Sequence, residues 1–573
     1  MGIRKHILKI SMLSILLLAG TLCITTLWSF SSNAPLTQNN SVASSSVPSQ
    51  SNPMPDNANA STNASTNTNA NTSTNTSTST SQGQSTTQTQ NTPNTSQNTQ
   101  APNGQFQPSD ISQRTAPNHG TRPNGMGNWS PGISSSTNTS ASYTPQIVAY
   151  SVTFLMLFLG AYYLVTKKKV KIQPSNVKML ILTILGVGLF LRIPLALLIN
   201  GHPFDLSTFK NWATTVVNNF SQFYQGRNAS DYPPFYIYVL FLIGKLGSLS
   251  ALSPYFTLLL KLPSIVADIA TSFLIFKLAQ KYLSFEISLL LAAFYTFNPA
   301  VLINSTIWGQ VDSFFTLIIV AAIFFLSEKN IGLATGLFTA AVLMKPQGII
   351  FLPVLFFELI RQKTLKSWIK VIISGLVTAI VIILPFSLNT SGLWIFKLYA
   401  STLGEYPYAS VNAFNFFSLL GANFTKDAGT LFVFSYHSWG LIAIVMITAF
   451  SWFLFIKGNS RVYASAVALL LIDGVFTFST RMHERYLFPA VALSILTFIY
   501  LRDKRLILLA SGFSTTIYIN THFVLYETLS GINSVSYGSI LIITSFLNVL
   551  LFVYLMKVLY EIVRERRGML IGA

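Results

Sequence analysis

The chain repeatedly carries apolar runs of about twenty residues, the length that a helix needs to cross roughly 30 Å of hydrocarbon. These runs begin near residue 179 and recur almost to the end of the sequence. Half of the 573 residues are hydrophobic and only 9% are charged, with a mean hydropathy of +0.50. The sequence therefore predicts an all-α, polytopic transmembrane protein of about 13 to 14 spans.

The net charge of +19 would suggest a nucleic-acid partner in a soluble protein. Here Lys and Arg lie in short clusters between apolar runs, as expected for the cytoplasmic loops of a membrane protein. We therefore expect no nucleic-acid partner. The single cysteine, Cys23, excludes an internal disulfide and a cysteine-built metal site, so stability must come from helix packing within the bilayer.

The N-terminal third divides by composition. Residues 1–30 fit either a signal peptide or an uncleaved membrane anchor. Residues 31–143 are almost wholly Ser, Thr, Asn, Gln and Pro, so they cannot bury a core, and we expect a disordered extracytoplasmic tether. Residues 144–177 are predicted to form a span with a basic cytoplasmic end. A membrane-embedded core at 178–562 and a cytoplasmic tail at 563–573 follow.

The basic groups give the orientation. The span at 145–166 ends in KKKVK, which the positive-inside rule holds in the cytoplasm. Alternation from that point predicts a multi-pass plasma-membrane protein with several polar motifs outside, at 205, 308–312, 345–348, 388–436 and 481–485. The segment 234–276 departs from this alternation, because its apolar length suits two spans while its flanking charges allow an odd number of crossings. We expect residues 234–249 to form a short interfacial or re-entrant helix.

Acidic residues accompany two of the outside motifs. Asp205 begins a stretch with the spacing of an amphipathic surface helix, where a carboxylate could meet a lipid-borne substrate. Asp205 could equally cap that helix. Asp231 and Tyr232 precede two prolines that fix an extended entry into the next apolar segment, which could be a purely structural feature.

Two further motifs place charge close to apolar spans. In WGQVD, Trp308 fits an interfacial anchor and Gln310 a helix cap, whereas Asp312 lies one turn into a span. In KPQG, Lys345 follows a short apolar stretch and is expected at the membrane boundary. Charges in such positions are costly and indicate a polar site.

The RMHERY motif concentrates Arg481, His483, Glu484 and Arg485 at the outer end of a span. Arginines there could reach toward lipid headgroups, but arginine also suits bidentate phosphate recognition, and an outer position runs against the positive-inside bias. Phosphate binding is the favoured interpretation, with Lys345 adding a further positive charge. His483 could act as a general acid or base, or donate a hydrogen bond to a phosphate oxygen.

Two acids inside apolar runs, Asp268 and Asp473, must be paired, protonated or exposed to a cavity. They support an alternative function, a proton-coupled transporter or a lipid-linked oligosaccharide flippase. An inactive scaffold whose tether binds the cell wall is a third hypothesis. The sequence contains neither GxxxxGK[ST] nor HExxH, which argues against an ATP-driven pump or a zinc protease.

Taken together, the acid in the first outside loop, DYPPFY, KLPS, FNP, WGQVD, KPQG and RMHERYLFP resemble the GT-C superfamily of membrane glycosyltransferases. Within it they are most similar to the bacterial relatives of the second GPI mannosyltransferase and to the dolichyl-phosphate-glucose-dependent glucosyltransferases. The resemblance covers residues 178–560 and leaves out the tether and the preceding span. It also implies a bacterial source.

This resemblance implies an inverting transfer of a hexose, with mannose expected first, from a polyprenyl-phosphate-sugar donor. The acceptor would be a lipid-linked sugar, a glycan or a protein on the outer face of the membrane. Asp205 would be the general base, while Arg481, His483, Arg485 and Lys345 would hold the departing lipid phosphate. The remaining substrate-binding residues would be Asp231, Tyr232, Gln310, Asp312, Gln347 and Glu484.

One departure from the family concerns metal binding. Many GT-C members carry two acids in the first outside loop, as DxD or DE, whereas Leu206 and Ser207 follow Asp205 here. We therefore expect no metal or other cofactor, although a divalent metal is the alternative.

Overall fold

The computed structural model describes residues 2–33, 143–226, 230–390 and 392–571. The tether predicted at 31–143 lies almost entirely outside the described residues. Within the described ranges the protein is helical, and its only paired strands form one short hairpin.

The helices are α1 Gly2–Asn33, α2 Thr144–Thr166, α3 Pro174–Leu198, α4 Pro203–Asn218, α5 Pro234–Gly247, α6 Phe256–Ala279, α7 Phe285–Thr296, α8 Pro299–Leu302, α9 Asp312–Ser327, α10 Ile331–Val342, α11 Leu352–Gln362, α12 Leu365–Ser387, α13 Trp394–Gly404, α14 Phe416–Leu419, α15 Tyr436–Gly458, α16 Ala464–Phe478, α17 Pro489–Leu501, α18 Arg505–Leu529 and α19 Ser539–Ile571. The strands are β1 Thr430–Leu431 and β2 Phe434–Ser435.

Nine helical segments of the described chain are long and apolar enough to cross a membrane. They are Lys9–Ser32, Thr144–Thr166, Pro174–Leu198, Ser253–Ala279, Phe285–Trp308, Leu365–Ser387, Tyr436–Gly458, Arg461–Phe478 and Ser539–Glu565. Four shorter apolar helices accompany them, namely α5, α9, α10 and α17. The protein is therefore compatible with a multi-pass membrane protein, and the count of about 13 to 14 spans stays a prediction.

The helices differ in what they face. Every residue of α17 is buried, and so are almost all residues of α16, so these two helices form the centre of the bundle. By contrast, α2 and α12 expose most of their apolar side chains, as lipid-facing helices do. The N-terminal helix α1 packs on α3, and the Tyr255 hydroxyl donates to the Leu27 carbonyl at 3.1 Å.

The two unusual elements predicted from the sequence are present as short helices. Helix α5 begins at Pro234, directly after Pro233, and ends at Gly247, within the predicted 234–249. Helix α4 is amphipathic, and its buried face follows the helical repeat at Leu206, Phe209, Trp212, Ala213 and Val216.

A π-helical segment, Ile303–Trp308, brings the WGQVD motif against the start of α4. The segment ends at Gly309, whose φ of 90° lies in the left-handed region, and the Asn304 carbonyl accepts from the amides of Gly309 and Gln310. The His202 amide donates to the Trp308 carbonyl at 3.0 Å. A Cβ on Gly201, the residue before His202, would lie 2.6 Å from that carbonyl oxygen. Glycine is therefore required for the close contact between the two backbone segments.

Candidate active site

Asp205 lies in the first turn of α4 and is fixed by the WGQVD motif. Its Oδ2 accepts hydrogen bonds from Trp308 Nε1 and from Gln310 Nε2, both at 2.6 Å. The cap of the helix is His202, so Asp205 is not the capping residue that the sequence left open. Among the described residues Oδ1 accepts no hydrogen bond, and the side chain is 15% exposed. One oxygen of the carboxylate is therefore held while the other is open to a ligand.

His202 completes the support of this carboxylate. Its ring stacks on the Trp308 indole, with centroids 4.9 Å apart and planes within 10°. Its Nδ1 lies 3.1 Å from Asp205 Oδ2 and 3.3 Å from the Asp205 amide nitrogen. A protonated Nδ1 donates to the carboxylate, whereas an unprotonated one accepts from the amide.

The electrostatic surroundings keep Asp205 ionised. Burial alone would raise its pKa, but the charge of Arg485 and the hydrogen bonds from His202 and Trp308 outweigh burial. The pKa of Asp205 is therefore held well below its usual value. A carboxylate of this kind is a strong charge but a weak base.

A second acid, Asp312, forms a buried ion pair at the start of α9. Its Oδ1 lies 2.5 Å from Lys345 Nζ, and the two side chains are 5% and 3% exposed. Its Oδ2 accepts from Asn304 Nδ2 at 3.1 Å and lies 3.9 Å from Arg485 Nε. Lys345 Nζ also lies 5.5 Å from the centre of the Tyr232 ring. Asp312 therefore joins the WGQVD, KPQG and RMHERY motifs.

Arg485 lies between aromatic rings and carboxylates. Its guanidinium carbon is 5.8 Å from the Trp308 ring centre and 6.0 Å from that of Tyr486. Its Nη1 donates to Glu484, whereas its Nε is buried and has no hydrogen-bond partner. Arg485 is thus internal, and the sequence-based alternative of an arginine reaching to lipid headgroups does not describe it.

Several buried polar atoms around Asp312 lack a partner. Among the described residues they are Arg485 Nε, a donor, and two acceptors, Gln310 Oε1 and Asn304 Oδ1. Gln347 Oε1, in the KPQG motif, is a further buried acceptor without a described partner. Buried polar groups are nearly always hydrogen-bonded, because an unpaired one costs about 1–3 kcal/mol. Unpaired donors and acceptors side by side suit a ligand that carries both an anion and hydroxyl groups.

A pair of carboxyl groups, Asp231 and Glu405, lies beside these cations. The carboxyl groups are hydrogen-bonded to each other, and the Asp231 carbonyl accepts from Thr402 Oγ1 at 2.9 Å. Glu405 is exposed as a whole residue, but its carboxyl group is desolvated against Asp231. Desolvation and the neighbouring acid raise the pKa of Glu405 to about 7, and burial likewise raises the pKa of Asp231. The pair therefore holds a shared proton near neutral pH.

The two other members of the RMHERY motif have different surroundings. The His483 ring packs edge-on against Tyr406, with ring centroids 4.8 Å apart, and is tilted against Tyr486, with ring centroids 4.9 Å apart. Burial, together with the charge of Arg485, lowers the pKa of His483 well below its usual value. His483 is therefore a neutral imidazole.

Arg481 is bound elsewhere. Its Nε donates to Asp427 Oδ2 at 2.7 Å and its Nη1 to the Leu403 carbonyl at 2.6 Å. No described contact joins it to Asp205, Asp312 or Arg485. The structure thus brings together the predicted residues Asp205, Tyr232, Gln310, Asp312, Lys345, Glu484 and Arg485, while Arg481 supports the turn from its other side.

The two acids of the transport hypothesis differ in their partners. Asp268 Oδ2 accepts from Arg192 Nε at 3.3 Å and from Ser305 Oγ at 2.6 Å, and both members of the ion pair are fully buried. Asp473 is also fully buried, and its nearest described partner is Thr477 Oγ1 at 3.4 Å. Asp473 Oδ2 has no hydrogen-bond partner within the described part of the chain.

The interpretation of Trp308 as an interfacial anchor is wrong. Its side chain is buried, and the indole N–H is directed at Asp205 rather than at the membrane surface. Similarly, Gln310 is not a helix cap, because Val311 precedes α9 and Gln310 bonds Asp205. The sequence reasoning did not identify His202, Asn304 or Tyr486 as site residues. The position of His202 three residues before Asp205 was the available signal.

Among the described residues no group of three or more His, Cys, Asp or Glu side chains is placed to hold a metal ion. A scan against models of protein families and a search of curated protein sequences find no match to this chain.

Proposed function

We propose that the chain is a GT-C-type membrane glycosyltransferase that moves a hexose, mannose first, from a polyprenyl-phosphate-sugar donor to a lipid-linked, glycan or protein acceptor. The observation that carries this proposal is the fixed carboxylate of Asp205 next to two buried cations with unused donors. An ordinary helix-packing core does not need a fixed carboxylate beside buried cations. Transfer of a sugar from a phosphate to a hydroxyl needs a base for the hydroxyl proton and a cationic pocket for the phosphate.

In the proposed reaction the acceptor hydroxyl oxygen attacks the anomeric carbon on the face opposite the phosphate. The bond from this carbon to the phosphate oxygen breaks, and its electron pair leaves with the lipid phosphate. The hydroxyl proton passes to Asp205 Oδ1, the oxygen without a described partner. The configuration at the anomeric carbon is thereby inverted.

The low pKa of Asp205 determines when its proton arrives. A weak base gains a proton only after the hydroxyl has become acidic, that is, when bond formation to the sugar is well advanced. Before that point the negative charge of Asp205 stabilises the positive charge that develops on the sugar ring. Trp308 and Gln310 hold the carboxylate for both tasks.

Arg485 and Lys345 provide the phosphate-binding charge in this proposal. Lys345 uses one of its three N–H groups for Asp312, and Arg485 Nε has no hydrogen-bond partner among the described residues. Asp312 and Glu484 already balance these cations, so an incoming phosphate must compete with them, most directly with Glu484. His483 serves as a neutral hydrogen-bond donor, and Arg481 reaches the phosphate only if it leaves Asp427.

The other parts of the proposal concern the sugar and the cell. Gln310, Gln347 and Asn304 offer acceptors for sugar hydroxyls, and Asp231 and Tyr232 border the acceptor side. The proposal needs no protein-bound metal cofactor. It assigns the chain to a bacterial plasma membrane, with the site and the tether on the extracytoplasmic face.

The test compares wild-type protein with Asp205→Asn in detergent. Each is incubated with radiolabelled polyprenyl-phosphate-mannose or -glucose and a crude lipid and glycan extract. We expect transfer to fall by about 10²–10⁴-fold in Asp205→Asn, the usual contribution of a general base. Glu328→Gln, which changes an exposed acid paired with Lys281, is the control and should keep full activity. Wild-type protein inactive with both donors, or an active Asp205→Asn, would contradict the proposal.

A second candidate function, proton-coupled transport or flipping of a lipid-linked sugar, has one observation in its favour. Asp473 is a fully buried acid without a cation among its described contacts, as in proton-carrying sites. Asp268 offers less support, because Arg192 already pairs with it. Uptake into proteoliposomes that is lost in Asp473→Asn but kept in Asp205→Asn would favour this function.

A further inference from the structure

The short β-hairpin carries an apolar tip that points away from the protein. Strands β1 and β2 pair in antiparallel register, Thr430 with Ser435 and Leu431 with Phe434, which leaves Phe432 and Val433 as the turn. We call these two residues the hairpin tip. The two residues are 87% and 79% exposed. No part of the described chain covers them.

The backbone of the tip is unfavourable for the residue that it holds. Phe432 has a φ of 58°, in the left-handed region that two-residue turns usually fill with Gly or Asn. A bulky aromatic residue is disfavoured there, and exposing it to water adds a second cost. Burial of the tip against a surface beyond the described residues would offset the cost of exposing it.

The attachment of the hairpin indicates what that partner is. Ser435 caps α15, and the candidate span Tyr436–Gly458 begins at the next residue. The Trp439 indole donates to the Leu431 carbonyl at 2.9 Å and packs against Phe434 with ring centres 5.2 Å apart. Tryptophan is enriched where a span meets the membrane–water interface. The hairpin is therefore fixed against the first turn of a span.

We propose that the hairpin tip inserts into the lipid interface beside α15. The hairpin sequence TLFVFS contains no charged residue, and the exposed apolar surface continues along α15 at Leu441, Val445 and Met446. The apolar tip is thus followed by a candidate span that exposes further apolar side chains. The partner is the bilayer itself, not a second protein. This inference does not depend on the proposed glycosyltransferase activity.

Insertion would hold the candidate site at a fixed height in the membrane. The amides of Tyr436 and His437 donate to the carbonyls of Gly429 and Asp427, at 3.0 and 2.9 Å. Asp427 in turn pairs with Arg481 in the RMHERY turn. Hydrogen bonds and one ion pair thus connect the hairpin to the RMHERY turn.

The experiment uses the full chain with its single cysteine replaced, Cys23→Ala, and one new cysteine introduced as Phe432→Cys or Val433→Cys. Each variant is labelled with an environment-sensitive fluorophore and reconstituted into phosphatidylcholine and phosphatidylglycerol nanodiscs. Ala428→Cys, at an exposed position of the same loop, is the matched control. Quenching is measured with lipids spin-labelled near the headgroup and, separately, with aqueous iodide.

We expect lipid spin labels to quench the probes at 432 and 433 several-fold more strongly than the probe at 428, and iodide to show the reverse order. Two results would overturn the proposal. One is a tip probe that behaves like the control. The other is a tip probe that is shielded from iodide without being quenched by lipid, which would mean that a protein surface covers it. The two tip positions test the same point independently if one substitution impairs folding.

Discussion

Removing Lys345 tests the buried ion pair that joins three motifs of the site. Lys345→Met keeps the shape of the side chain but takes the closest cation away from Asp312. Asp312→Asn removes the charge from the other partner. Because Arg485 also faces Asp312 at 3.9 Å, the two variants should not be equivalent.

The distances give the expected order. At an effective dielectric constant of about 20, the 2.5 Å contact with Lys345 corresponds to an attraction of about 7 kcal/mol, and the 3.9 Å contact with Arg485 to about 4 kcal/mol. Desolvation cancels much of this, and breaking one side of a buried pair usually costs about 3–5 kcal/mol. Lys345→Met should cost about 3 kcal/mol of stability, because Arg485 remains beside Asp312. Asp312→Asn should cost about 5 kcal/mol, because it deprives both cations of their partner.

The assay measures unfolding in mixed detergent micelles, monitored by circular dichroism, for both single variants and for the double variant. We expect the double variant to be no less stable than Asp312→Asn, because replacing Lys345 by Met removes the buried positive charge that Asp312→Asn leaves uncompensated. The control is Lys281→Met, which breaks the Lys281–Glu328 pair at 2.6 Å, where the side chains are 46% and 38% exposed. Its cost should be below about 1 kcal/mol. Equal costs for Lys345→Met and Lys281→Met would refute the reasoning.

Two further predictions concern titrating groups. Trp308→Phe removes a donor to Asp205, which should lower stability at neutral pH by about 1.5–3 kcal/mol and raise the pKa of Asp205. Because folding depresses the pKa of Asp205, its carboxylate stabilises the fold at pH values above the ordinary aspartate pKa, and this stabilisation is lost as pH falls through the depressed pKa. The pKa is less depressed in the variant, so the variant should lose the stabilisation at a higher pH. Melting temperatures recorded down to acidic pH measure this, with Trp212→Phe as a control that bonds no carboxylate in the structure. The pH dependence has the opposite sign for Glu405, because its pKa is raised from 4.5 to about 7 beside Asp231. Protonated Glu405 therefore contributes its full stabilisation below pH 4.5 and loses it as pH rises through 7. Glu405→Gln should abolish the resulting fall in melting temperature between about pH 5 and pH 8, and an unchanged fall would contradict the pairing with Asp231.

Apolar run length and proline positions predicted much of the fold. The span at 145–166, the amphipathic helix after Asp205 and the short helix after Pro233 all have counterparts in α2, α4 and α5. The π-helical segment Ile303–Trp308 could not be predicted, because its residues have no composition that separates a π-helix from an α-helix. Its extra residue per turn is stabilised by tertiary contacts such as the bond between His202 and Trp308.

The sequence predicted the site as a set of motifs on one side of the membrane, which stays a prediction, but it did not predict the contacts between them. Alternation of spans groups Asp205, Asp312, Lys345 and Arg485. In the structure Trp308 lies between Asp205 and Arg485, and Arg485 and Lys345 both face Asp312 directly. Alternation does not say which helices are neighbours. The Asp205–Trp308 hydrogen bond spans 103 positions, and Arg481 finds Asp427 54 positions away. These pairings depend on the packing of the bundle, which hydropathy does not encode.

The shortness of three helices has a consequence for depth. Helices α9, α10 and α17 contain 16, 12 and 13 residues, so they are about 24, 18 and 20 Å long. The ends of these helices that lie away from Asp312 and Lys345 are near the exposed Lys281–Glu328 pair. If those ends mark one boundary of a bilayer with about 30 Å of hydrocarbon, the other ends of the three helices would lie about 6–12 Å inside the other hydrocarbon boundary. In that placement Asp312 and Lys345 would lie below headgroup level, and a reactive group that floats at that level would have to descend to meet them. Molecules would be selected by how far down they can reach as well as by what they carry.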